Sequence, residues 1–406
     1  MTDTSTRTAA SSSSPVRLRY QLFGFFLTRM VINTSFRMIY PFLGPISRGV
    51  GLPVEDVTRA ITLRAALGLF SPLIGSIADT RGRRAAMSLG IASFVAGMLL
   101  VGFWPSFATL VAALLLTMFS KIILDPALLA YLGDRVSYEQ RGLAVAIAEF
   151  SWAGAFFLGV PVAGWLIASG GWNTPFWVLG LIGIGIFLLI RRIVPAEQTR
   201  VIRRASLRAG LEKIARHRPS IGILIIGLMI SGSNEVVNIV YGVWLENAFA
   251  VKLGALGAAA AVIGLAELLG EGLVAGFADR IGKRRALGFG LGTYIIAALL
   301  LPGLATNETS ALFGLFLFYL TFEFSVVASL PLLTELLPDA RATLLAGNGA
   351  GHSLGRMLGS LVGPLIFTSG LAVNTTTAAV MNGVALLTLI VLVREHHDAA
   401  HRSTDS

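Results

Sequence analysis

The sequence predicts an all-α integral membrane protein with twelve transmembrane helices in two parallel six-helix repeats. Three observations predict it: an apolar excess too large for one aqueous core, apolar runs recurring along the chain, and a charged motif that returns 200 residues after its first appearance. Of the 406 residues, 55% are hydrophobic and 13% charged, and mean hydropathy is +0.76. A soluble domain carries about 25% charged residues, so lipid must solvate much of this surface. A span with its loop takes roughly 30 residues, which leaves room for about twelve.

Residues 1–17 are Ser/Thr-rich and read as a disordered cytoplasmic N-terminus. Arg29 and Arg37 interrupt the apolar run that a cleaved signal peptide would need. Apolar runs between polar breaks predict helices at 18–43, 55–79, 85–104, 107–133, 141–169 and 174–192, a first bundle over 18–192. A basic cytoplasmic linker at 193–218 leads to helices at 219–247, 255–279, 286–304, 309–336, 342–369 and 373–394. These make a second bundle over 219–394, followed by a cytoplasmic tail, 395–406. With both termini on one side, that side holds nearly every Lys and Arg outside the spans; the other has only Arg48, Lys252 and Arg59. The positive-inside rule makes the basic side cytoplasmic, and the expected location is the inner membrane.

The repeat is explicit. Asp79-Thr80-Arg81-Gly82-Arg83-Arg84 returns as Asp279-Arg280-Ile281-Gly282-Lys283-Arg284, and Arg141 at the head of the fifth segment returns as Arg341 at the head of the eleventh. Each copy keeps its side of the membrane after six helices, so the repeats are parallel.

Other classes are disfavoured. The net charge of +10 is dispersed among spans rather than gathered on a nucleic-acid-binding face. There is no cysteine, no His-Glu-x-x-His pair and no nucleotide-binding loop, and four of the five histidines, His217, His396, His397 and His401, lie outside the spans. Neither an enzyme nor a cofactor other than a coupled proton is expected.

Gly75-Ser-Ile-Ala-Asp79-Thr-Arg-Gly82-Arg83-Arg84 resembles the signature of the major facilitator superfamily between its second and third helices, departing mainly at Thr80. The second copy, through Asp279, Gly282 and Arg284, lacks the leading glycine. The resemblance implies a two-bundle transporter fold. It also implies a latch between halves in which Asp79 and Arg83 meet Asp134 or Arg135 and the helix that starts at Arg341. Gly154, Gly159, Pro161 and Gly164 loosely resemble the proton-antiporter motif of drug-exporting members, and small residues so spaced also serve close helix packing.

Ionisable residues inside spans face a cavity or a partner. At 1.5 Å per residue, Arg29 lies about 15 Å beyond Arg19, near the midplane. Arg29, Asn33 and Arg37, four apart, form one stripe. Glu267 and Glu271 share a face of the eighth segment. Asn234, Glu235, Asn238, Glu323, His352 and Arg356 fall in the central or outer part of later segments, and Arg64, Lys121, Asp125 and Glu149 complete the set. These charges are net positive in the first half and net negative in the second, so ion pairs across a central cavity are expected. Lys121 and Asp125 read as a pair within one helix. Glu267, Glu271 and Glu149 are candidate proton carriers, with a structural ion-pair role as the alternative. His352 is a hydrogen-bonding or titrating group.

The expected function is secondary active transport by alternating access, with proton-coupled export of a small or amphipathic solute. The alternative is proton-coupled uptake of an organic anion, or flipping of a lysolipid or glycolipid, through Arg29 and Arg37; a non-transporting sensor or enzyme is remote. The expected partners are that solute and membrane lipids, around a monomer.

Overall fold

The computed structural model describes residues 15–74, 82–136, 150–195 and 207–393. Helices stand at each of the twelve expected positions, and no strand occurs among the described residues. The first half contains α1 (Pro15–Arg37), α2 (Leu43–Val50), α3 (Val54–Gly68), α4 (Ser71–Ile74), α5 (Arg83–Phe103), α6 (Phe107–Arg135), α7 (Phe150–Gly170) and α8 (Thr174–Ile193). A connecting helix, α9 (Leu207–Arg216), precedes the second half. That half contains α10 (Arg218–Asn238), α11 (Tyr241–Phe249), α12 (Leu253–Ile281), α13 (Lys283–Leu304), α14 (Glu308–Glu335), α15 (Arg341–Phe367) and α16 (Leu371–Leu392).

Several expected boundaries are corrected. The first helix, expected over 18–43, stops at Arg37 and resumes as α2, because Pro41 lacks an N–H and disfavours helical backbone at Tyr40. The seventh, expected over 219–247, is interrupted at Ile239 and Val240. These two breaks meet: a Cβ on Gly242 would run into the carbonyls of Tyr40 and Pro41. The second helix is interrupted at Leu69 and Phe70. The linker expected over 193–218 contains α9, whose Ile214 is buried and whose Lys213 lies 3.5 Å from Asp339, and Arg218 already belongs to α10.

Local rules repeat between the halves. Gly82 and Gly282 open α5 and α13 with φ of +83° and +89°, a conformation that a side chain would strain. Ser106 with Thr109 caps α6 reciprocally, and Asn307 with Ser310 caps α14 in the same way. Arg84 donates to the Arg191 carbonyl at 2.6 Å, and Arg284 to the Leu389 and Ile390 carbonyls at 3.4 and 3.3 Å. Each arginine therefore binds the last turn of its own half's sixth helix, where carbonyls lack intrahelical donors and the dipole is negative.

Within the first half α5 packs against α6 and α8; within the second, α10 packs against α15 and α16, and α13 against α14. The halves meet where α3 lies on α15, α7 on α12, and α2 on α11. Leu181, Leu188, Ile296, Leu299, Val380 and Leu387 stand exposed on the outside, a surface suited to lipid. Nine helical stretches among the described residues are long and apolar enough to cross a membrane. The remaining positions, α1, α3–α4 and α15, are the ones that carry Arg29, Arg37, Arg64, His352 and Arg356 between the halves.

Candidate functional site

A cavity of about 320 Å³ lies between the halves. On the first-half side it is lined by Arg29, Phe36 and Arg37 of α1, Tyr40 in the following turn, Lys121 and Asp125 of α6, and Trp152 of α7. On the second-half side it is lined by Asn234, Glu235 and Asn238 of α10, Glu271 of α12, Phe322, Glu323 and Val326 of α14, and His352 and Arg356 of α15. Of the sequence stripe Arg29-Asn33-Arg37, Arg37 meets a predicted carboxylate of the other half, whereas Arg29 and Asn33 bind partners in their own.

In the first half the charges are tied to one another. Lys121 Nζ lies 3.2 Å from Asp125 Oδ2, the expected pair, and Arg29 Nε joins it at 3.5 Å from Oδ1. Lys121 also donates to Asn33 Oδ1 at 2.6 Å, and Asn33 in turn donates to Ser151 Oγ at 3.4 Å. One carboxylate therefore faces two cations.

Two connections cross between the halves around the cavity. Arg37 donates both terminal nitrogens to Glu267, at 2.9 and 3.0 Å, while its guanidinium lies 3.8 Å from the Trp152 ring centre and 4.1 Å from that of Phe156. Glu267 is 1% exposed, so the pair is bidentate and desolvated. The second connection is a chain. Arg64 donates to the Phe36 carbonyl at 3.1 Å and to the Tyr40 hydroxyl at 2.8 Å, and Tyr40 donates to Glu235 Oε1 at 3.0 Å. Asn238 donates to Glu235 Oε2 at 3.4 Å and accepts from Tyr319 at 2.7 Å. Arg64 is 1% exposed and reaches the cavity only through Tyr40.

The second half leaves charges open. Among the described residues Arg356 and Glu323 line the cavity with no hydrogen bond or ion pair. His352 lies in the cavity wall with Nδ1 against the Ser231 hydroxyl.

At the end of the bundle opposite the termini, Arg48 pairs with Glu246 at 2.5 Å, and Thr62 bonds Ser360 at 2.9 Å. Both contacts join the halves. The antiporter-like residues of α7 serve packing, Gly154 and Gly159 against α1 of the same half, Gly164 and Pro161 also against α12 of the other. A Cβ on Gly154 would meet Met30, one on Gly159 would meet Thr34, one on Gly164 would meet Phe42 and the Leu253 carbonyl, and Pro161 lies against Gly257. A π-helical turn at Ala155–Gly159 precedes the proline.

Of the motif residues, Gly75, Asp79, Arg141 and Glu149 lie outside the described residues, as do the side chains of Asp134 and Asp279. Gly82, Arg83 and Arg84 open α5, Gly282 and Arg284 begin α13, Arg135 ends α6 with its guanidinium 5.3 Å from the Tyr131 ring centre, and Arg341 opens α15. Sequence reasoning missed Tyr40 as the bridge, Trp152 and Phe156 around Arg37, and Arg48 with Glu246. Tyr40 was findable, since it extends the α1 stripe three residues past Arg37.

Two six-helix halves enclosing a charged central cavity define a polytopic transporter fold. The chain belongs to the Major Facilitator Superfamily, whose model matches residues 25–233 and 223–405. An uncharacterized MFS-type transporter of Bacillus subtilis (strain 168), YceJ, is 25% identical over 332 residues, covering 80% of this chain and 84% of YceJ. YbcL of the same organism, likewise an uncharacterized MFS-type transporter, is 20% identical over 276 residues, covering 68% and 70%. The fold is shared with the human organic anion transporter MFSD10 (TETRAN), at a TM-score of 0.65 and 18% identity over 92% of this chain and 99% of that one. It is shared also with a bacterial homolog of the human lysosomal transporter Spinster, solved inward-facing and unoccupied, at 0.67 and 17% over 94% and 95%. Family and fold together make this a secondary transporter.

Proposed function

We propose that the chain is a proton-coupled exporter that carries a small, polar or amphipathic solute out of the cell in exchange for protons. The observation that carries this reading is the buried Arg37–Glu267 pair joining the halves. A proton on Glu267 removes the charge that holds Arg37, so proton occupancy and the arrangement of the halves are linked. The cross-half contacts at Arg48–Glu246 and Thr62–Ser360 support a state closed at the end opposite the termini. The basic residues at the other end support its being cytoplasmic. A carrier whose Glu267 is ionised while the cavity faces the cytoplasm takes up solute there, and a proton bound on the far side drives its return. That order is antiport.

The test uses a solute that stabilises the purified chain in a thermal-shift screen of amphiphiles, organic anions, sugars and drugs. In proteoliposomes an imposed pH gradient accelerates wild-type flux of that solute toward the acidic side. Glu267→Gln abolishes the gradient effect and retains solute–solute exchange. Unchanged gradient dependence in Glu267→Gln sinks the reading. Coupled uptake of an organic anion is the second reading, favoured by the unpaired Arg356 and by the fold shared with an organic anion transporter. It predicts flux of the opposite sign.

A further inference from the structure

The charges around the cavity do not all have the same freedom. Arg29 and Lys121 share Asp125, Arg37 is held by Glu267, and Glu235 is held by Tyr40 and Asn238. Arg356 and Glu323 differ: both line the cavity, and neither has a hydrogen bond or ion pair among the described residues. Glu323 is only 8% exposed. The carboxylates of Glu267 and Glu271 act first on Glu323, then the charges of Arg37 and Arg356, and Arg356 acts also on Glu235, but none of these lies close enough to Glu323 or Arg356 to pair with it. Asn234 lies in the same wall, but its amide nitrogen is buried beside the Tyr294 hydroxyl.

We infer that the solute is a small zwitterion, with its anionic group on Arg356 and its cationic group on Glu323. This inference rests on the transporter reading of the same cavity and deepens it. When the halves close over a solute, water leaves, and a buried charge without a counter-charge is strongly disfavoured. A solute with a single charge satisfies one of the two residues and strands the other. A zwitterion satisfies both and leaves the net charge of the cavity unchanged. Size agrees, because 320 Å³ stands at the small end of the roughly 300–1,000 Å³ range of small-molecule sites.

The test compares matched trios: an amino acid, the acid that lacks its amine, and the amine that lacks its carboxylate, such as phenylalanine, 3-phenylpropionate and phenethylamine. Trios built on each standard side chain are offered to the purified full chain at neutral pH, and binding is read by equilibrium titration and thermal shift. In at least one trio the zwitterion binds about tenfold or more tightly than either analogue, as expected when each end of the solute forms its own charge-assisted hydrogen bond. Arg356→Gln erases the advantage over the amine and keeps amine binding. Glu323→Gln erases the advantage over the acid and keeps acid binding. Each variant thus carries its own control for folding, and one that binds no member of the trio contradicts the division of roles.

An acid that binds as tightly as its zwitterion overturns the proposal and makes Glu323 a proton site beside an anion site. An amine that binds equally well, or a panel in which nothing binds, overturns it too. The exporter reading fails separately, through wild-type flux that ignores a pH gradient or through an unaltered Glu267→Gln.

Discussion

The two halves obey the same local rules and differ in what they present to the cavity. Gly82 matches Gly282, the Ser106 cap matches that at Asn307, and Arg84 matches Arg284. Facing the cavity there is no such matching: cations predominate in the first half, carboxylates in the second. The described charges of the first half are engaged, whereas Arg356 and Glu323 of the second are open. Helix ends impose the same demand on both halves, because every terminus leaves backbone groups to satisfy. A cavity imposes no such demand, so its walls are set by the solute and by the pairs that must form and break as the halves rock.

The largest expected effect tests whether a buried cross-half pair holds these unlike walls together. Glu267→Gln leaves the Arg37 guanidinium between Trp152 and Phe156 without an anion, and Arg37→Gln leaves Glu267 without a cation. Each is expected to lower stability by about 3–5 kcal/mol, read by thermal unfolding of the purified chain. The double variant Arg37→Met/Glu267→Leu recovers most of that stability, because no uncompensated charge remains, and does not recover gradient-driven flux. A single variant as stable as wild type breaks the comparison, since the pair would then join nothing.

Next in size is Tyr40→Phe, which removes the hydroxyl between Arg64 and Glu235. The expected loss is about 1–3 kcal/mol, smaller because Arg64 keeps the Phe36 carbonyl and Glu235 keeps Asn238. The chain has no cysteine, so Ser360→Cys supplies a single thiol at the Thr62 contact between halves. Tyr40→Phe is expected to speed maleimide labelling at that site by loosening the closed end. An unchanged rate assigns the Tyr40 chain to the stability of the wall rather than to closure.

Much of this was legible in the sequence. The repeat, the unlike charge of the halves and the need for pairs across a cavity all follow from spacing and from the cost of charge in lipid. Which arginine meets which glutamate was not, because the pairing of Arg37 with Glu267 is fixed by how α1 and α12 approach in space. The breaks after Arg37 and Asn238 were hidden because apolar runs continue across them. Trp152 and Phe156 were not singled out, since composition does not distinguish a ring against lipid from one against a guanidinium. The repeated helix ends give a matching pair of tests. Arg84→Ala and Arg284→Ala are each expected to lower stability by about 0.3–1 kcal/mol, to a similar extent in the two halves. A large difference in unfolding temperature between them shows that the local rules also diverge.

The smallest effect is expected at Arg48 and Glu246, and it separates closure from stability. The pair sits at 2.5 Å, but Arg48 is largely exposed, with 63% of its side-chain surface accessible. Water and salt screen such a pair, so Arg48→Ala is worth about 0–1 kcal/mol and should scarcely move the unfolding temperature. The pair nonetheless joins the halves at the closed end, where even a fraction of a kcal/mol shifts how often they part. Labelling of Ser360→Cys is therefore expected to rise modestly with Arg48→Ala. Raising salt from low to high, which shortens the screening length to about 3 Å near 1 M, should speed labelling of the wild-type background toward the Arg48→Ala rate and leave the variant unchanged. If salt accelerates both equally, closure at this end depends on other charges, and the buried Arg37–Glu267 pair becomes the only ionic tie between the halves that these experiments have isolated.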